Sequence, residues 1–168
     1  MPRMLIRRDI HPIMPSIREY LMIPKVSCVN RQQQPLVLAV EDNEDNLLLI
    51  SYVVESLGYR LLGETSGVST LQIVKQYQPN LILMDIMLPD VNGIDIFYQL
   101  QQDPLTSSIP VVAMTALAMA QEQKQIQKAG FHGYIIKPYM LEDLEHMILS
   151  HLEPTGTSSK SKVIMQYV

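Results

Sequence analysis

Carboxylates stand directly after two apolar segments of this chain. Glu41 and Asp42 follow the apolar residues 36–40, and Asp85 follows the apolar residues 81–84. An apolar run of this length bounded by polar residues predicts a strand that is buried on both faces. In open α/β sheets ligands bind at the carboxyl ends of the strands, so these acids are candidates for chemistry. Asp85 by itself has another interpretation, in which it caps the next helix or solvates a turn.

Two further polar groups follow apolar segments later in the chain. Thr115 comes after residues 111–114, and the pair Lys137-Pro138 comes after residues 133–136. The carboxyl ends of parallel strands lie on one edge of a sheet, so all these groups are expected there. A strand order of 2-1-3-4-5 would put strands 1 and 3 side by side and bring their acids into one crevice.

Helical segments alternate with the apolar runs, since apolar residues recur between them at three- and four-residue steps. Alternation of five strands and five helices implies a parallel sheet covered on both faces. We therefore predict an α/β fold, a (βα)5 doubly wound parallel five-stranded sheet of flavodoxin-like order 2-1-3-4-5, in a three-layer αβα sandwich. The predicted strands cover residues 36–40, 60–64, 81–84, 111–114 and 133–136, and the predicted helices cover 43–57, 69–78, 92–102, 121–129 and 140–152.

Local signals predict several helix ends. Asn43 and Ser69 are interpreted as N-terminal caps, while Gly58 and Pro79 end the first and second helices. The second strand is the most polar, as an outer strand would be. The third helix is predicted to face four side chains inward, Ile94, Phe97, Tyr98 and Leu100.

The residues at the strand ends suggest phosphoryl transfer. Three carboxylates in one crevice repel one another and stay ionised only beside positive charge. An acidic cluster of oxygen ligands suits a hard divalent cation, Mg²⁺ above all. Lys137 adds a positive charge and Thr115 a hydroxyl donor, which completes the inventory that phosphoryl transfer to a carboxylate requires. The seven glycines form neither a P-loop nor a dinucleotide-binding motif.

Residues 36 to about 152 resemble the receiver domain of bacterial two-component response regulators, the CheY-like family. Five separate signals occur in the family's order and on the expected elements. The matching residues are Val40-Glu41-Asp42-Asn43, Leu83-Met84-Asp85-Ile86-Met87-Leu88-Pro89, Asn92-Gly93, Met114-Thr115-Ala116 and Tyr134-Ile135-Ile136-Lys137-Pro138.

The resemblance implies a role for each group in the reaction. Asp85 accepts a phosphoryl group from a phosphohistidine of a sensor kinase or a histidine phosphotransfer protein. Thr115 and Lys137 hold the phosphoryl oxygens. Tyr134 is the aromatic switch, which turns into space that Thr115 vacates on phosphorylation. The Lys137-Pro138 bond is expected to be cis. Such a receiver is a signalling protein and not an enzyme, although it assists its own phosphorylation and dephosphorylation.

The resemblance also implies a Mg²⁺ site. Glu41, Asp42 and Asp85 bind the ion, and the backbone carbonyl of Met87 is a further ligand. Many relatives have Asp at the first acidic position, and the longer Glu41 is expected to reach the metal through water.

The bulk composition is that of one globular domain with tails. The chain has 168 residues, of which 47% are hydrophobic and 18% are charged, and its formal net charge is −4. We predict a basic, proline-containing flexible extension over residues 1–34, a receiver domain over 35–153 and a flexible tail over 154–168.

One cysteine, Cys28, permits no internal disulfide. No apolar stretch is long enough to span a bilayer, so we predict a soluble, cytoplasmic protein with no membrane partner.

The charge is distributed unevenly, because residues 1–34 carry six basic and two acidic residues and the remainder carries seven basic and fifteen acidic ones. The arginines of the extension are not clustered on a helix face, so no nucleic-acid partner is expected.

No segment outside the predicted domain is long enough for a separate output module, so output by protein–protein contact or phosphate relay is expected. The face of strands 4 and 5 would meet an unknown downstream protein, and a homodimer through that face is a further candidate.

Two alternative functions remain. A phosphatase or mutase with an aspartyl-phosphate intermediate usually has a second acid two residues after the nucleophile, where this chain has Met87. A degenerate interaction module would not need the intact site residues.

Overall fold

The computed structural model describes residues 34–116 and 120–152. The predicted extension, apart from Gln34, and the predicted tail over 154–168 lie outside the described residues. Among the described helices, none has the length and apolar character needed to cross a membrane.

Within these described ranges, five strands form one parallel sheet. They are β1 (Leu36–Val40), β2 (Arg60–Glu64), β3 (Leu81–Asp85), β4 (Val111–Thr115) and β5 (Gly133–Ile136). Their order is β2-β1-β3-β4-β5, which confirms the predicted order. The apolar strands β1, β3 and β4 are fully buried, whereas the outer strand β2 is partly exposed along its length.

The described part of the chain has five helices, of which four connect successive strands and the last follows β5. They are α1 (Glu44–Ser56), α2 (Thr70–Tyr77), α3 (Gly93–Gln102), α4 (Ala120–Ala129) and α5 (Leu141–Leu152). Asn43 caps α1 as predicted, since its side chain accepts a hydrogen bond from the Asn46 amide at 3.0 Å. Gly58 follows the end of α1 with a φ of +78°, a backbone conformation that favours glycine.

Two core clusters lie on the two faces of the sheet, because successive strand residues point to opposite sides. Val37 and Ala39 of β1 belong to the cluster with α1 and α5. Leu38 and Val40 belong to the cluster with α2, α3 and α4. The three-layer αβα sandwich is therefore confirmed.

Two local predictions were wrong. Ser69 makes no side-chain cap for α2, because its backbone is already helical and its hydroxyl donates to the Ser66 carbonyl instead. Tyr98 was expected to face inward but is 47% exposed. The buried stripe of α3 contains Ile96, Phe97 and Leu100, and Tyr98 lies about 100° around the helix from Phe97.

Candidate functional site

The carboxyl ends of β1 and β3 bring the predicted acids together. In the pairing of these strands Val40 lies opposite Met84, so the residues that follow them, Glu41 and Asp85, are neighbours. One carboxylate oxygen each from Glu41, Asp42 and Asp85 lies within 4.8 Å of the others. Glu41 is 1% exposed and Asp85 is 5% exposed, whereas Asp42 faces solvent. The strand order therefore brings the three acids into one cluster, as predicted.

Lys137 lies between the two buried acids. Its Nζ donates to Asp85 Oδ2 at 2.7 Å and also contacts Glu41 Oε2. Burial by itself lowers the pKa of Lys137, but the hydrogen bonds and charges of Asp85 and Glu41 outweigh it and raise the pKa above its usual value. Lys137 is therefore charged at neutral pH. The bond that joins it to Pro138 is cis, as expected.

The remaining oxygens of the buried acids also accept hydrogen bonds. Asp85 Oδ1 accepts from the Met87 backbone amide at 2.8 Å. Glu41 Oε1 accepts from Asn46 Nδ2 at 2.8 Å. No sequence motif assigned a function to Asn46, although its position in the first turn of α1, four residues after Asp42, could have indicated one.

Tyr139 is a second residue near the buried acids to which no sequence motif assigned a function. Burial raises the pKa of its phenol to about 12, and the charges of Glu41 and Asp85 add to this shift. The phenol is therefore neutral at physiological pH. Its position directly after Lys137-Pro138 was the available signal.

Thr115 and Tyr134 lie where strands β4 and β5 meet. Thr115 ends β4, is fully buried and accepts a hydrogen bond at its carbonyl from the Lys137 amide at 2.7 Å. Tyr134 is also buried, and its hydroxyl has no hydrogen-bond partner within the described part of the chain. Their functional roles stay predictions, as does the role of the Met87 carbonyl, although the Met87 amide lies beside Asp85.

The backbone around Asp85 leaves no room for a side chain on Gly93. A Cβ at that position would lie 2.3 Å from the Asp85 carbonyl oxygen, and the Gly93 amide donates to the Ile86 carbonyl at 3.0 Å. Asn92 caps α3 by accepting from the Ile94 amide at 2.8 Å. Glycine is therefore required where α3 begins against the end of β3.

Asp90 joins the loop after β3 to the loop after β2. Its carboxylate accepts from the Ser66 hydroxyl at 2.7 Å and from the amides of Gly67 and Val68 at 3.1 and 3.2 Å. The hydrogen bond from Ser66, with those from the two amides, lowers the pKa of Asp90 to about 2. The loop that carries Met87 is thereby attached to a second loop.

The donor set fits a hard divalent cation. Its three acids supply only oxygen ligands, and Asp42 is open to solvent. Three carboxylates and one lysine leave a net charge of −2 if all are ionised, which one divalent cation would balance. The cluster could therefore hold such an ion.

This fold and this cluster of acids define a class of signalling protein. The family model of the response regulator receiver domain matches residues 37–149. The chain belongs to the response regulator receiver domain family, the signalling proteins of two-component systems.

The relatives include polar-differentiation response regulators called DivK. The DivK protein of Brucella ovis is 38% identical to this chain over 116 residues, which cover 69% of this chain and 94% of DivK.

Solved structures of receivers share the fold. The receiver domain of the sensor histidine kinase PA1611 from Pseudomonas aeruginosa, solved with a magnesium ion in its active-site cleft, is 26% identical with a TM-score of 0.65. That match covers 70% of this chain and 97% of the receiver domain. The chemotaxis protein CheY4 of Vibrio cholerae is 19% identical with a TM-score of 0.66 over 71% of this chain and 99% of CheY4, a likeness of fold alone.

Proposed function

We propose that this protein accepts a phosphoryl group on Asp85 from a phosphohistidine of a sensor kinase or a histidine phosphotransfer protein in the cytoplasm. The observation that carries the proposal is the position of Lys137, whose ammonium group contacts Asp85 and Glu41 at once. A charged lysine beside a buried carboxylate is suited to neutralise the phosphoryl oxygens as they approach.

The transfer forms one bond and breaks one bond. A carboxylate oxygen of Asp85 bonds to phosphorus, while the bond from phosphorus to the histidine nitrogen breaks and its electron pair returns to the imidazole. Lys137 holds one phosphoryl oxygen and the Thr115 hydroxyl holds another. The strand ends thus supply the positioning on which phosphoryl transfer depends.

The acids and one backbone carbonyl would hold Mg²⁺ at this site. Asp42, Asp85 and the carbonyl of Met87 would be the direct ligands, and Glu41 would contribute through water. When bound, the ion supplies positive charge to the phosphoryl oxygens. The magnesium ion in the P. aeruginosa receiver structure supports this assignment.

Signal output follows from a change at β4 and β5. Phosphorylation adds negative charge and acceptor oxygens at Asp85, which attract the Thr115 hydroxyl. Tyr134, buried without a hydroxyl partner among the described residues, then turns toward the vacated space. The face formed by β4, β5 and α4 changes its population of conformers and binds a downstream protein or a second copy of this chain.

The test is modification with a small phosphoryl donor. The protein is incubated with Mg²⁺ and acetyl phosphate and followed by intact mass, and we expect a base-labile phosphoryl adduct. Asp85→Asn should abolish the adduct, while Asp95→Asn, an exposed acid of the neighbouring helix α3, should retain it. An unmodified wild-type protein, or equal labelling of Asp85→Asn, would contradict the proposal. Sustained turnover of phosphate esters would instead favour a phosphatase.

A further inference from the structure

Glu41 is held by donors on both sides. It is 1% exposed, its Oε2 contacts Lys137, and its Oε1 accepts from Asn46 Nδ2 at 2.8 Å. A carboxylate ion can only accept hydrogen bonds, so the amide nitrogen of Asn46 and not its oxygen must face Glu41. The two partners together determine the orientation of the carboxylate plane.

Asn46 is itself well anchored. Its backbone amide donates to the Asn43 side chain at 3.0 Å, which is the N-terminal cap of α1. The residue therefore lies in a capped first helical turn, three residues after the cap. Through Asn46 the start of α1 is connected to an acid at the end of β1.

We propose that Asn46 is a positioning residue that orients Glu41 for metal binding. This inference rests on the proposed function, because it concerns the same carboxylate cluster. Asn46 occupies Oε1 and so directs Oε2 toward Lys137 and the other acids. The hydrogen bond selects one orientation of the longer glutamate side chain before any ion arrives.

Loss of the Asn46 amide should weaken Mg²⁺ binding. Without it, Oε1 is a buried carboxylate oxygen that has lost its donor, and the carboxylate plane is free to rotate. The ion must then order Glu41 as it binds. Mutation of a residue that hydrogen-bonds to a metal ligand typically lowers metal affinity by about 10- to 100-fold. We expect a loss of about tenfold here, at the low end, because Glu41 acts through water.

The experiment titrates Mg²⁺ alone into the full-length protein by isothermal titration calorimetry. Asn46→Leu removes the donor while it preserves the approximate shape of the side chain, and Asn46→Ala is a second variant if the first does not fold. Ser51→Ala is the matched control, since it also removes a side-chain hydrogen bond of α1, from Ser51 Oγ to the Leu48 carbonyl. We expect the Mg²⁺ dissociation constant to rise about tenfold in Asn46→Leu and to change less than about twofold in Ser51→Ala.

A double-variant experiment in the Glu41→Asp protein tests whether Asn46 acts through Glu41. Glu41→Asp withdraws the carboxylate from Asn46 by one methylene group. In that background the added Asn46→Leu change should alter Mg²⁺ affinity less than about twofold, because the hydrogen bond is already absent.

The outcomes of the titrations distinguish the metal assignment from the role of Asn46. A wild-type protein that binds no Mg²⁺ overturns the metal assignment and the role of Asn46 together. If the wild type binds Mg²⁺ and Asn46→Leu binds it equally well, the role of Asn46 alone is wrong. The role of Asn46 is also wrong if Asn46→Leu weakens Mg²⁺ binding by the same factor in the wild-type and in the Glu41→Asp background.

Discussion

At the scale of the residue, the function of the site depends on charge balance between buried groups. Glu41 and Asp85 are almost fully buried, and both are in contact with Lys137. Burying a carboxylate is costly unless a cation and hydrogen bonds compensate for the lost water. The same lysine therefore stabilises the resting structure and is available to a phosphoryl group.

Replacing Lys137 with Met should destabilise the metal-free protein by roughly 3 kcal/mol, because two buried carboxylates lose their cation. Addition of Mg²⁺ should restore part of this loss by supplying positive charge. Urea denaturation with and without Mg²⁺ measures both effects.

The control is Lys75→Met, since Lys75 pairs with Asp103 at 2.6 Å in a more exposed setting. That exposed pair should contribute less than about 1 kcal/mol. Equal losses for the two variants would contradict the importance of burial at Lys137.

At the scale of the element, loops rather than strands complete the site. The loop after β3 carries Met87 and is attached through Asp90 to the loop before α2. Gly67 is packed tightly in that second loop, where a Cβ would lie 2.9 Å from the Ile96 side chain. The partners of Asp90 lie 22 to 24 residues earlier in the chain, so no local sequence pattern predicts them.

The link through Asp90 should make stability depend on acid pH. The pKa of Asp90 in the folded protein is about 2, below the ordinary 3.8, so the folded state favours the ionised form. Its contribution is complete above about pH 4 and is lost as pH falls toward 2. Asp90→Asn should therefore lower the melting temperature at pH 7, and the difference from wild type should shrink by pH 3.

Ser66→Ala provides the comparison, because it removes one donor and leaves the carboxylate in place. It should lower the melting temperature at pH 7 by less than Asp90→Asn does. A difference between wild type and Asp90→Asn that is as large at pH 3 as at pH 7 would be inconsistent with an ionised Asp90 as the acceptor.

At the scale of the whole molecule, one sheet with a core on each face positions every site residue. The buried residues of both core clusters lie within residues 37–148. The α5 side chains Leu144, Met147 and Ile148 complete the cluster that also contains α1. The site edge is therefore held by helices on both sides of the sheet.

A fragment of residues 34–152 should fold by itself. It contains both core clusters, so we expect cooperative thermal unfolding with a midpoint within about 5 °C of the full chain. A fragment of residues 34–132, which lacks β5 and α5, should show no cooperative transition. Circular dichroism during heating measures both, and a 34–152 fragment that melts without a cooperative transition would contradict the assignment of the domain.

The sequence by itself determined the succession of strands and helices and the set of polar residues at the strand ends. Apolar runs specify buried strands, and each acid, hydroxyl or lysine that ends such a run must lie at one edge of a parallel sheet. Helix faces were less certain, as Tyr98 demonstrates, because one residue changes the direction of a side chain by about 100°.

Only the tertiary structure decided how these groups are paired. Lys137 and Glu41 are separated by 96 residues and follow β5 and β1, which are not neighbours in the sheet. Their contact exists because the long lysine side chain reaches across the strand ends to the acids after β1 and β3. The donation from Asn46 to Glu41 spans five residues, yet it depends on the angle at which α1 leaves β1. Hydrogen bonds require atoms within about 3.2 Å and in line, and a sequence pattern specifies neither condition.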